Sequence, residues 1–175
     1  MEFIIAIVII VFIIIALVSA IRIITTGKSD LPIFAIPIMT KHELIFARKL
    51  NQALEEFEFH LFPQMPFAAF LKILPGTERK LAFRVRNKFS QKRADFAIAD
   101  DDMKVILIVE LDDKTHNASK DRARDEILGS AGIPTVRLRN GYAIKTEEIL
   151  AAIKPHLLSY SEAKSSKPNP SDLGN

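Results

Sequence analysis

Two short segments hold the residues best placed to do chemistry: Arg93-Ala-Asp95-Phe-Ala-Ile and Ile108-Val-Glu110-Leu-Asp112-Asp-Lys-Thr-His116. Asp95 opens one apolar run, and Glu110 closes another. Side chains alternate faces along a strand, so Glu110 and Asp112 point the same way, and a hairpin can bring Asp95 beside them. Taken singly, each is an ordinary strand-end acid facing solvent. Together, three carboxylates converging at the end of apolar strands repel one another and call for a divalent cation. Hard oxygen ligands suit Mg²⁺, or Mn²⁺. Such an ion can bind a phosphate oxygen, acidify a water and stabilise a leaving group. The chain has no cysteine, which excludes a disulfide framework and a zinc-thiolate centre.

The elements that must position these acids follow from periodicity and punctuation. Asp95–Ala99 and Val105–Leu111 are β-compatible runs joined by Asp100-Asp101-Asp102, the turn of a hairpin. Lys120–Ala131 reads as a helix ending at Gly132, and Pro134–Leu138 as a strand. That strand–helix–strand order is a βαβ unit with two parallel strands. Upstream, Thr40-Lys-His-Glu43 fits a capping box, and Leu44, Ala47, Leu50, Leu54 and Phe57 recur at helical spacing. Phe57–Gln64 is expected to be a strand, and Pro66–Leu74 a short helix stopped by Pro75-Gly76. Leu81, Val85 and Phe89 suggest another helix, and Lys145–Leu158 a last one. The fold class is α/β, a mixed central sheet flanked by helices. It occupies 40–158 and is followed by a Ser-, Pro- and Asn-rich tail, 159–175, expected to be disordered.

The first two dozen residues are of another kind. No polar side chain occurs from Phe3 to Val18, and only Ser19 intervenes before Arg22. At ~1.5 Å per residue a helix from Phe3 to Ile24 is roughly 33 Å long, enough for a hydrocarbon core of about 30 Å. Residues 1–24 are therefore expected to be a transmembrane anchor, and 25–39, with Pro32 and Pro37, a linker. A cleaved signal peptide is the competing reading, with Val18-Ser19-Ala20 as a passable cleavage site. Against it, the apolar run is too long and no basic residue precedes it. Only Glu2 and the start amine precede the helix, whereas Arg22, Lys28 and Lys41 follow it. The positive-inside rule then places the C-terminal domain in the cytoplasm.

Between 79 and 93 stand Arg79, Lys80, Arg84, Arg86, Lys88, Lys92 and Arg93, with no acid among them. This stretch runs directly into Asp95. A basic stripe beside an acidic metal site suits a polyanion whose phosphate must reach the metal. A solvated helix face and a surface for anionic lipid head groups are the alternatives. Arg122 and Arg124 either extend the phosphate contacts or pair with Asp121 and Asp125 along their own helix.

Lys92-Arg-Ala-Asp95-Phe, Val109-Glu-Leu-Asp-Asp-Lys-Thr-His116, Arg124-Asp-Glu-Ile-Leu128, Ala131-Gly-Ile-Pro-Thr-Val-Arg-Leu138 and Phe62-Pro63-Gln64 together resemble the PD-(D/E)xK, or restriction-endonuclease-like, superfamily. More narrowly they are similar to a bacterial group known as domain of unknown function 2726, related to the Vsr-like mismatch endonucleases. The resemblance covers roughly residues 40–155. It implies a restriction-endonuclease-like sheet and a Mg²⁺- or Mn²⁺-dependent nuclease acting on DNA ahead of RNA, and the bacterial group, taken with the anchor, gives the expected place as the bacterial inner membrane. It makes Asp95 and Glu110 the metal ligands, with the Leu111 carbonyl as a third. The superfamily's lysine two positions after the acid is Asp112 here, which leaves its role to Lys114, Lys92 or His116. His116 matches the Vsr-like placement and is a candidate general acid or base. Glu43 matches an acid often found near the metal, although its capping box accounts for it equally well. Gln64 either lines the site or is a solvated strand end. Arg84, Arg86, Lys88, Lys92, Arg93 and Arg122 are the expected nucleic-acid contacts. An inactive nuclease-like fold that only binds nucleic acid, anionic lipid or a partner is the rival function.

Overall fold

The computed structural model describes residues 1–25, 31–112, 118–139 and 141–166. The chain divides into two compact units, Met1–Ile36 and Pro37–Asn175. In the first, α1 (Glu2–Thr25) includes the 19-residue stretch Phe3–Ile21, long and apolar enough to cross a membrane and with none of it buried. Residues 31–40 form neither helix nor strand.

The second unit is a mixed α/β domain. Its elements are α2 (Lys41–Ala53), β1 (His60–Pro66), α3 (Phe67–Phe70), α4 (Arg79–Phe89), β2 (Arg93–Ala99), β3 (Val105–Asp112), α5 (Ala118–Ser130), β4 (Thr135–Arg139) and α6 (Thr146–Ser165). The sheet order is β1-β2-β3-β4. The first two pairings are antiparallel and β3–β4 is parallel, closed through α5 as the βαβ pattern requires. Alternation along the strands sorts the core into two layers. Phe96, Ile98, Leu107 and Val109 meet Phe46 and Leu50 of α2 and Ile149, Ile153 and Leu157 of α6. Ala97 and Ile108 belong instead with Phe67, Phe89 and Leu128 of α3, α4 and α5.

The capping box at Thr40 forms. Glu43 N–H donates to Thr40 Oγ1 (3.2 Å), and Thr40 N–H donates to Glu43 Oε2 (2.6 Å). Three expected elements differ. The strand expected from Phe57 begins at His60, because Phe57 N–H turns back onto the Leu54 carbonyl. Pro63 and Pro66 are tolerated in β1 because it is an edge strand, whose lost donors cost no inner ladder bond. The helix expected over 66–74 is a single turn, since Leu71 is already extended and Pro75 excludes the α region for Leu74. The last helix passes Leu158 and reaches Ser165. There Tyr160 Oη and Lys164 Nζ donate to Asp100 in the β2–β3 turn, the lysine at 3.1 Å. The rest of the tail, 167–175, lies outside the described residues.

Candidate functional site

Register places the acids. The β2–β3 pairing runs through Phe96↔Val109 and Ala97↔Ile108, so Asp95 continues it opposite Glu110. Glu110 is paired with Arg137 on β4. On the other side, Pro63↔Phe96 and Met65↔Ala94 bracket Gln64 against Asp95. Gln64, Asp95, Glu110 and Arg137 thus form one row across the end of the sheet opposite the β2–β3 turn.

Each acid has a different environment. Asp95 Oδ2 accepts the Leu111 N–H at 2.9 Å. Glu110 is 5% exposed and is ion-paired through Oε2 with Arg124 of α5. Its Oε1 is buried and meets no donor among the described residues. Burial pushes the Asp95 carboxyl up, only partly offset by the Leu111 N–H and Arg124, and Glu43 adds to the rise. Burial raises Glu110 well above the usual carboxylate range. Asp95 raises it further, against the pull of Arg124 and Arg137. Two acids on neighbouring strands therefore crowd each other, and either a shared proton or a cation relieves them.

Around the pair, Glu43 is fully engaged. One oxygen serves its capping box and Oε1 accepts Gln64 Nε2 at 2.8 Å. Gln64 holds a left-handed backbone (φ 52°), a conformation that costs a non-glycine residue about 1–3 kcal/mol and gathers at functional sites. Glu43 and Gln64 therefore form a supporting pair beside Asp95. Asp112 is turned to β4, where it accepts Arg139 Nε at 3.1 Å. Lys114 and His116 lie outside the described residues. Arg84, Arg86, Lys88, Arg93 and Arg122 are exposed and Lys92 is half-buried.

For Arg124 the sequence left phosphate contact and pairing with Asp121 or Asp125 along its own helix equally open. In the fold Asp125 pairs with Arg137 instead (2.5 and 3.1 Å), which frees Arg124 for Glu110. His42 stacks on Tyr142 with ring centroids 4.3 Å apart, and its Nε2 is buried without a partner among the described residues.

The donor set fits a hard divalent cation. Mg²⁺ commonly takes one or two carboxylates and keeps several waters, and Asp95 with the orphaned Glu110 Oε1 supplies that pair. No group of three or more His, Asp or Glu able to hold an ion occurs among the described residues, so the other positions would fall to water, a backbone carbonyl or a bound phosphate. Residues 35–156 match the family described as protein of unknown function (DUF2726). Neither a curated protein nor a solved structure matches the chain.

Proposed function

The chain belongs to the DUF2726 family, which is defined without an activity, and from the site itself we propose a membrane-anchored, metal-dependent nuclease of restriction-endonuclease-like fold. Its substrate is the phosphodiester bond, in DNA ahead of RNA on the resemblance to mismatch endonucleases. The observation that carries the reading is the Asp95–Glu110 pair, a half-buried and a buried acid facing each other on neighbouring strands at one end of the sheet, both driven up in pKa. Asp95 and Glu110 would hold Mg²⁺ or Mn²⁺, with the Leu111 carbonyl as a further ligand. The ion supplies a polarised phosphoryl oxygen and an acidified water.

The chain's own residues do the rest. The Leu111 N–H fixes Asp95, and Gln64 and Glu43 brace the strand beside it. Arg124 holds one oxygen of Glu110 and leaves the other available. Arg93, exposed two residues before Asp95, and Arg84, Arg86 and Lys88 on α4 bind the polyanion backbone. Asp112 is committed to Arg139, so the superfamily lysine's task falls to Lys92, Lys114 or His116. The anchor places this chemistry at the bacterial inner membrane as a single-pass protein, with its domain in the cytoplasm.

One observation favours a second reading. The Arg124–Glu110 ion pair already neutralises one acid, as a fixed cation would in a nuclease-like fold that binds without cutting. The test is cleavage of plasmid DNA and of RNA by the full chain in detergent, with Mg²⁺ or Mn²⁺. Asp95→Asn and Glu110→Gln are each expected to lower cleavage by at least about a hundred-fold, the scale of losing a group that stabilises the transition state. DNA binding without cleavage under either metal would select the second reading. Binding to anionic vesicles but not to DNA would refute both.

A further inference from the structure

The eight residues Leu31-Pro-Ile-Phe-Ala-Ile-Pro-Ile38 are entirely apolar, and no charge occurs between Asp30 and Lys41. Leu31, Ile33, Phe34, Ile36 and Ile38 are 64%, 79%, 86%, 72% and 73% exposed. Five large side chains in so short a span form a contiguous apolar patch that water-facing surfaces seldom keep. The division of the chain groups residues 31–36 with α1.

We infer that residues 31–38 are a second membrane-contacting segment, lying in the head-group layer of the bilayer that α1 crosses. The inference rests on the anchor proposed above and commits to lipid as the occupant. Backbone conformation sets the depth. The segment has neither helix nor strand, and within it Ile33 N–H donates to the Leu31 carbonyl at 2.8 Å. Irregular backbone with unpaired amides cannot enter hydrocarbon facing lipid, but the hydrated interface accepts it while apolar side chains dip below the head groups. Pro32 and Pro37 each remove a donor. Reach is sufficient, because Leu31 follows Thr25, the last residue of α1, by six residues, ~20 Å at full extension. Lys28 and Lys41 flank the run with the charge that anionic head groups attract.

The consequence is a short tether. Residues 26–40 as free chain would let the domain range about 50 Å from the membrane. With 31–38 laid in the interface, only Met39 and Thr40 separate lipid from α2.

The chain has no cysteine, so Phe34→Cys and Ile36→Cys can each carry one fluorophore in the full chain reconstituted into phosphatidylcholine–phosphatidylglycerol vesicles. Ile10→Cys reports the anchor and Glu148→Cys the domain surface. Labels at 34 and 36 are expected to be quenched by head-group nitroxide lipids and to resist aqueous iodide roughly three-fold or more better than the label at 148. Iodide quenching at 34 and 36 equal to that at 148, with Ile10 reached by lipid nitroxides, would overturn the inference and leave the anchor standing. Shielding from iodide without lipid quenching would mean that protein covers the segment, and would overturn it equally. A label at Ile10 that lipid does not reach would remove the anchor and the inference together.

Discussion

Burying an ionised carboxylate costs several kcal/mol unless a counter-charge or proton compensates it, and Glu110 is buried beside a second acid. Arg124 compensates one oxygen, and the orphaned Oε1 keeps the remaining demand. Gln64 adds a second cost, since its left-handed backbone is held in place by its hydrogen bond to Glu43. Removing the side chain while keeping the strain should be worse than removing both. Gln64→Gly is therefore expected to be more stable than Gln64→Ala by about 1 kcal/mol, the usual cost of the left-handed region, in denaturant unfolding followed by circular dichroism. Equal stability of the two variants would mean that the conformation is not strained. Asp95 and Glu110 were legible in the sequence because acids ending apolar runs are unusual. For Gln64 the sequence left a site-lining residue and a solvated strand end equally open, since nothing in Phe62-Pro63-Gln64 reveals the backbone angle or the bond to Glu43. The partners of Arg124 and Asp112, Glu110 and Arg139, were not legible either, because they are set by the approach of α5 and the parallel register of β4.

The β2–β3 hairpin and α6 are joined far from the acids by a polar clamp. Asp100 is 3% exposed and accepts Tyr160 Oη, the Lys104 N–H (2.9 Å) and Lys164 Nζ. Burial pushes its carboxyl up, but these hydrogen bonds and the lysine charge together hold it at about 2, below its ordinary 3.8. Because the folded pKa is the lower one, the clamp stabilises the fold fully above about pH 4, and that contribution is lost as pH falls towards 2. Asp100→Asn should cost about 1–3 kcal/mol at pH 7, the usual loss for a buried hydrogen-bonded partner, and should flatten the acid limb of a stability–pH profile. An unchanged acid limb would contradict the clamp. This cluster also explains why α6 outlasts its apolar repeat. Ile149, Ile153 and Leu157 predict a helix, but the stretch to Ser165 is held by Tyr160 and Lys164 reaching a turn sixty residues away in sequence. The hairpin, the βαβ unit and the capping box were legible because each is written locally. The start of β1 and the end of α6 depend on distant partners and were not.

The proposed function divides the labour, with α1 choosing the place and the sheet end supplying the chemistry. An arginine near the middle of α1 should cost about 2.5–3.5 kcal/mol of insertion. Ile10→Arg is therefore expected to shift the protein towards the alkaline-carbonate-extractable fraction, while the wild type stays in the membrane pellet. Identical partitioning would argue against a spanning helix. The site itself is tested most directly by Mn²⁺ titration of the full chain in detergent, read by the loss of the free-ion electron paramagnetic resonance signal. Wild type is expected to bind Mn²⁺ saturably, with Mg²⁺ competing, and Asp95→Asn to bind it at least about tenfold more weakly. Absence of saturable binding, or binding that Asp95→Asn leaves unchanged, would contradict a metal centre at Asp95 and Glu110.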